Sequence, residues 1–292
     1  MIGVGTSITA YGIGIGGGGS PPADDRFIFT VKTDNAGTSA DNQFTIPTSA
    51  TGTTQAFLYD IETSDGQTIT GLTSGTTITF PSAGTYDVFI TGAFPRFYFN
   101  NGGDKLKLIE LKNFGTYAQG STSQSTAFQG CSNLVISATD TGYFGSVTDF
   151  YATWFNCSSL TSFPLIDTSS GNSFSNAWFG CSSLTSFPLI DTSSGNSFSN
   201  AWRGCSSLTT FPANAFDTNI ASNYTSAFTA TNLSTQSIDN ILVSLDVSGV
   251  SNGTFAQSGG STPSATGLAA KTNLINKGWT CLLYTSPSPR DS

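Results

Sequence analysis

Histidine is absent from the chain. That removes Ser-His-Asp and Cys-His catalysis and every His-ligated metal site. Charge is scarce as well: Asp, Glu, Lys and Arg make up 10 % of the residues, and 10 basic against 18 acidic side chains leave a formal net charge of −8. Such a chain lacks the basic footprint of a nucleic-acid binder, so nucleic acid is not expected as a partner. Glu, Lys and Leu are too sparse for long coiled coils. No apolar run is long enough to span a membrane, so membrane insertion is not expected. The N-terminal segment 1–11, MIGVGTSITAY, lacks the basic n-region and the unbroken apolar run of a secretory signal. G-x-S-x-G, P-loop and H-E-x-x-H motifs are all missing. The expectation is a protein that is not an enzyme and carries no cofactor.

Apolar matter is plentiful. Hydrophobic residues are 37 % of the 292, aromatics are 12 %, and Phe alone occurs 23 times. A chain of this length and composition builds a core and has room for two domains. The abundance of Ser, Thr and Gly fits β structure rich in turns.

The dominant signal is internal repetition. Residues 157–178 read CSSLTSFPLIDTSSGNSFSNAW, and residues 181–202 repeat them without change, so the unit is 24 residues long. Around it stand weaker copies in the same phase. An aromatic precedes each cysteine by three residues (Phe128, Trp154, Trp178, Trp202), and a leucine follows each by three (Leu134, Leu160, Leu184, Leu208). The cysteines themselves are Cys131, Cys157, Cys181 and Cys205, and Phe163, Phe187 and Phe211 each precede a proline. A further divergent copy has Phe228, Thr231 in the cysteine position and Leu233 one residue early. A fixed period in the twenties with one leucine per copy predicts a leucine-rich-repeat solenoid. Strands of successive coils then pair about 4.8 Å apart. Equivalent residues form columns, and the aromatic, Cys, Leu and Phe columns form the core.

Three columns invite a functional reading. Thiols of adjacent coils fall near disulfide distance, but small buried apolar groups are the reading adopted for them. Asp167, Asp191 and Asp217, each followed by Thr, offer oxygen ligands suited to Ca²⁺. The same residues form Asx-turns, which is the role expected here, with Ca²⁺ as the alternative. The position after each tryptophan is Phe155, Phe179 and Arg203, so it changes between otherwise matching units. Variation of that kind marks solvent-facing positions, so these three are the candidate contact residues.

The strings AFQGCSNL (127–134), AWFGCSSL (177–184) and AWRGCSSL (201–208) resemble the BspA-type leucine-rich repeat, with a small residue, an aromatic, Gly, Cys, Ser and Leu in order. The resemblance covers about residues 104–280; around 135–150 only the spacing is kept. It implies a curved solenoid on a cell or particle surface, used for adhesion or recognition of a host or cell-surface glycan or protein.

Ahead of the repeats, 12–25 is a Gly/Pro-rich linker. Its GIGIGG fits G-x-G-x-x-G but runs into Gly-Ser-Pro-Pro rather than a helix, so the dinucleotide reading fails. Residues 26–100 read as a small antiparallel β-sandwich of short strands, with a hairpin turn at Asp65-Gly66. The stretch from that turn to GTYDVFITG (84–92) resembles a polycystic-kidney-disease-type, immunoglobulin-like domain, although Glu62 to Gly66 replaces that family's Trp-Gly-Asp-Gly hairpin. Residues 105–112, with charges alternating with apolar groups, are expected to cap the first open edge of the solenoid. Short helices are expected near its other end, one through Ile238, Ile241, Leu242 and Leu245, the other over 266–277 with Ser264 as N-cap and Gly278 after it. The last residues, CLLYTSPSPRDS (281–292), resemble a translated sequencing adapter and are set apart, which leaves 104–280 as a truncated repeat array.

The functional expectation is a non-enzymatic recognition protein on a virion, of the tail-fibre or appendage kind, with the N-terminal segment contacting other virion proteins. The alternative is a bacterial cell-surface adhesin of the BspA type.

Overall fold

The computed structural model describes residues 24–284. The N-terminal segment, most of the linker and the tail from 285 onward lie outside the described residues. The described residues are mainly β, with eleven strands, two α-helices and one short 3-10 turn among them.

The N-terminal part builds from alternation. In β1 (Phe27–Lys32), Phe27, Phe29 and Val31 face inward. β2 (Gln43–Thr45) pairs antiparallel with β5 (Thr77–Thr79), placing Phe44 opposite Ile78, both buried. β3 (Leu58–Thr63) turns at Asp65-Gly66 into β4 (Thr68–Leu72). Gly66 takes φ +88° there, a conformation that suits glycine. β4 has no counterpart in the sequence reading because it is an edge strand with no fully buried residue, so no alternation marks it. β6 (Thr85–Ala93) lies antiparallel between β3 and β1.

β7 (Leu108–Asn113) corrects the expected cap. It is not an open edge: it pairs antiparallel with β1 on one side and parallel with β8 (Val135–Ile136) on the other. The sheet order is β4-β3-β6-β1-β7-β8. The sheet is therefore mixed, not purely antiparallel, and it passes from the N-terminal strands into the first repeat without a break. A register shift between Thr30 and Val31 lets Leu108 and Leu111, three residues apart, both face the core. Asp104 and Lys107 lock the junction from inside. The Asp104 carboxylate accepts from the backbone N–H groups of Thr38 (2.8 Å) and Thr45 (2.6 Å) and from the Ser39 hydroxyl (2.6 Å). Lys107 Nζ donates to the carbonyls of Ala40 (2.7 Å) and Gln43 (2.9 Å).

Beyond β8 the chain makes one pass per rung. Ser123, Asp149, Ser173, Ser197 and Asn223 pair parallel, each with the next. The ladder continues through β9 (Asn223–Phe228), β10 (Thr254–Ser258) and β11 (Thr280–Tyr284). Two left-handed residues bend each repeat. Thr126, Ala152, Asn176, Asn200 and Ser226 have φ between 50° and 58°. Gly130, Gly180 and Gly204 precede their cysteines at φ 80°, 71° and 77°, and Asn156 and Ala230 occupy the same position. Glycine takes that geometry without Cβ strain and Asn tolerates it, which explains the Gly-Cys pair in the motif.

Stacking supplies the core. Trp154, Trp178 and Trp202 stack in a ladder with nearly parallel planes and centroids 5.7 and 5.3 Å apart, and Phe228 continues it at 4.9 Å. Phe163, Phe187 and Phe211 form a second ladder at 5.5 and 5.6 Å, edge-on to the tryptophans. Phe150, Phe174, Phe198 and Tyr224 form a third at 5.3, 5.1 and 5.1 Å. Such pairs add about 0.5–1.5 kcal/mol each beyond area burial. The leucine column is fully buried.

α1 (Thr235–Val247) starts at the Ser234 cap and buries Ile238, Ile241, Leu242 and Leu245. α2 (Ala265–Asn276) starts at the Ser264 cap, and Gly278 follows it at φ 84°. Cys281 and Leu282, set apart with the adapter-like tail, are in β11, in register with Phe255 and Ala256 of β10. No helix among the described residues is long and apolar enough to cross a membrane.

Candidate recognition surface

The repeat places Phe155, Phe179 and Arg203 on one outer row. Their carbonyls accept from Gly130 N (2.7 Å), Asn156 N (2.7 Å) and Gly180 N (2.8 Å), so the row hangs on a regular backbone ladder. Phe155 and Phe179 stack with centroids 4.6 Å apart and planes 6° off parallel. The Arg203 guanidinium lies 5.8 Å from the Phe179 centroid, a cation–π contact, and Nη1 donates to Asn200 Oδ1 at 3.3 Å. Arg203 is exposed, whereas the two phenylalanines are half-buried because each covers a face of the other. The row therefore offers ring edges and one cation. It holds no nucleophile and no general base, so its chemistry is contact.

The cysteine column is fully buried, and every described cysteine is a free thiol. The thiols of Cys157, Cys181 and Cys205 donate to the carbonyls of Phe128 (3.2 Å), Trp154 (3.2 Å) and Trp178 (3.1 Å) one coil back. Burial pushes the Cys205 thiol up to about 12 and raises Cys131, Cys157 and Cys181 well above the ordinary thiol value. These groups are structural donors rather than nucleophiles.

The aspartates do not assemble a cation site. Asp167 Oδ1 accepts from Ser169 N at 3.0 Å and Asp191 Oδ1 from Ser193 N at 2.8 Å, each closing an Asx-turn. The Ser169 hydroxyl and backbone N–H hold the Asp167 carboxyl below the usual carboxylate range. Asp217 departs from the column: it accepts from the Ser244 hydroxyl of α1 at 2.5 Å. Among the described residues no group of three His, Cys, Asp or Glu side chains is placed to hold a metal ion.

The sequence reading passed over Leu165 and Leu189, which follow the Phe-Pro pairs and stand 58 % and 52 % exposed. They lie two residues after the buried Phe163 and Phe187, where strand alternation would place them inward, so the local pattern gave no signal of their exposure. Leu189 borders a shallow groove with Asp191 and Asn214. Comparison of the chain with family models, with curated proteins and with solved structures returns no match.

Proposed function

We propose that this chain is a non-enzymatic surface-recognition protein. Its stacked coils are read as a leucine-rich-repeat solenoid of the BspA type, preceded by a small immunoglobulin-like β-sandwich. The observation that carries the reading is the contrast between buried and outer columns. Inside, the central coils repeat Trp, Cys and Leu at every turn; outside, the rigid row runs Phe155, Phe179 and then Arg203, changing residue type between two units that otherwise match. Rigid repeats suit extended binding surfaces, and several weak contacts along such a surface add up through avidity. The ligand class is a host or cell-surface glycan or protein, and the proposed site of display is a virion appendage. A cell envelope is the alternative site.

The test applies fluorescently labelled full-length protein to intact bacteria and to arrayed bacterial surface polysaccharides. Retention that drops at least tenfold in Phe155→Ser/Phe179→Ser, with an unchanged unfolding midpoint, supports the row. Undiminished retention removes it, and no retention on any surface refutes the recognition role. Antibody labelling of purified particles against labelling of cell envelopes separates the two sites of display.

A further inference from the structure

Arg96 follows β6 and is 2 % exposed, yet it has no carboxylate partner: none of the ion pairs among the described residues includes it. Its hydrogen bonds all go to backbone carbonyls. Nη1 donates to Thr51 at 2.8 Å, Nε to Phe97 at 3.3 Å, and Nη2 to Ser125. A guanidinium carries five N–H donors, so two remain for another acceptor. The guanidinium carbon sits 5.2 Å from the Tyr98 ring centroid. Burial pulls the basicity of Arg96 down, and the neighbouring Tyr117, Tyr98 and Asp149 offset that only in part.

The side chain lines a cleft of about 270 Å³ where the N-terminal part meets the first coils. Its other walls include Ser49, Tyr98, Asn100, Ser123 and Asp149. Asp149 Oδ2 accepts from the Ser123 hydroxyl at 3.0 Å and Oδ1 from Tyr151 N at 2.9 Å. An ionised carboxylate has about four acceptor positions, so capacity for ligand hydroxyls remains. Junctions between structural units are common places for small-ligand sites.

We infer that this cleft binds a carboxylated monosaccharide unit, such as a uronic or sialic acid residue. Its carboxylate pairs with the two free donors of Arg96, and its hydroxyls meet Asp149, Ser49, Ser123 and Asn100. The cleft is smaller than the roughly 300–1,000 Å³ of drug-sized sites, which suits a single sugar ring. A buried guanidinium recognises a carboxylate in a bidentate geometry that a neutral sugar cannot supply. Asp149 repels any anion in the cleft, and a dianion such as phosphate about twice as strongly as a monoanionic carboxylate, which favours the acidic sugar over phosphate. The cleft shares no residue with the Phe155–Arg203 row, so it stands or falls independently of the recognition reading.

The experiment is calorimetric titration of the full-length protein with glucuronate, galacturonate and N-acetylneuraminate, against glucose, galactose and inorganic phosphate. The expected result is 1:1 binding of at least one acidic sugar, at least tenfold tighter than neutral sugar or phosphate. Arg96→Gln is expected to abolish that preference. Because Arg96 also ties three backbone segments together, Ser49→Trp serves as the second variant: it fills the cleft from the rim and is expected to lose binding at an unchanged unfolding midpoint. Absence of binding by all three acids at about 10 mM overturns the proposal. So does equal binding of neutral sugars or phosphate, or acid binding that survives Ser49→Trp.

Discussion

Trp178 stands at the centre of the stacked core, and two substitutions there separate packing from polarity. Its indole lies 5.7 Å from Trp154 and 5.3 Å from Trp202, with Phe187 edge-on at 4.7 Å. It is fully buried, and its Nε1–H has no hydrogen-bond partner, as is also true of Trp154 and Trp202. Trp178→Ala leaves a cavity in the middle of the ladder and costs about 3–5 kcal/mol. Trp178→Phe removes far less: a residual void of ~40 Å³ costs about 1 kcal/mol at ~24 cal/mol per Å³. It also deletes an unsatisfied buried donor, whose desolvation penalty is about 1–3 kcal/mol. Phenylalanine already stacks on tryptophan at both ends of this ladder, as Phe128 and Phe228. The two effects offset each other, so Trp178→Phe is expected to lie within about 1 kcal/mol of the parent chain. Urea unfolding followed by circular dichroism reads both variants through the midpoint at constant slope. A Trp178→Phe variant as unstable as Trp178→Ala would refute the reasoning, because the indole N–H would then be contributing a bond.

Three further outcomes follow from the same geometry. Gly180→Ala is expected to destabilise by more than Gly204→Ala: both glycines have positive φ (71° and 77°), but a Cβ at 180 runs into the Asn156 side-chain amide, which must turn away, while one at 204 meets nothing closer than 3.6 Å. The φ strain alone is worth about 1–2 kcal/mol, so thermal midpoints rank the two variants. In native protein at pH 8, Cys131, Cys157, Cys181 and Cys205 are expected to resist a thiol-specific reagent, while half-buried Cys281 on strand β11 reacts; mass spectrometry after labelling counts the sites. Burial pushes the Asp104 carboxyl up, but the hydrogen bonds from Ser39 and Thr45 and the Lys107 charge outweigh it, so the native pKa lies below the ordinary 3.8. A depressed native pKa gives stability that is complete above the unfolded value and lost as pH falls through the native one. Unfolding midpoints are therefore expected to drop below pH 3.8, and Asp104→Asn to reduce that dependence.

What the sequence revealed was local or periodic. The column positions of Trp, Cys and Leu follow from a 24-residue period, both helices follow from spacing, and the Ser264 cap follows from cap chemistry, whereas the Ser234 cap of α1 was not read from the sequence. The third aromatic ladder, Phe150, Phe174, Phe198 and Tyr224, is equally periodic but stands outside the motif around each cysteine. Pairing between distant segments was not legible. Nothing local indicates that β7 inserts between β1 and β8, because register and sheet order are set by contacts roughly eighty residues apart. Buried polar groups were hidden for a related reason. Arg96 and Lys107 read as surface residues by type, and only the carbonyls brought to them by folding make their burial tolerable. The outer row was visible as variation inside a repeat, but the mutual stacking that half-buries Phe155 and Phe179 was not.

The central claim is that one 24-residue unit equals one rung, stacked in phase through shared columns. Excising residues 181–204 joins Gly180 to Cys205 and lets Trp178 take the place of Trp202 beneath Phe228, with every column continuous. The decisive measurement is cooperative urea unfolding of this deletion beside one lacking only 181–192. The account predicts a single sharp transition for the whole-unit deletion and a broad or absent one for the half-unit deletion, which throws the columns out of phase. Loss of cooperative unfolding in the whole-unit deletion, or equal tolerance of both, would contradict it.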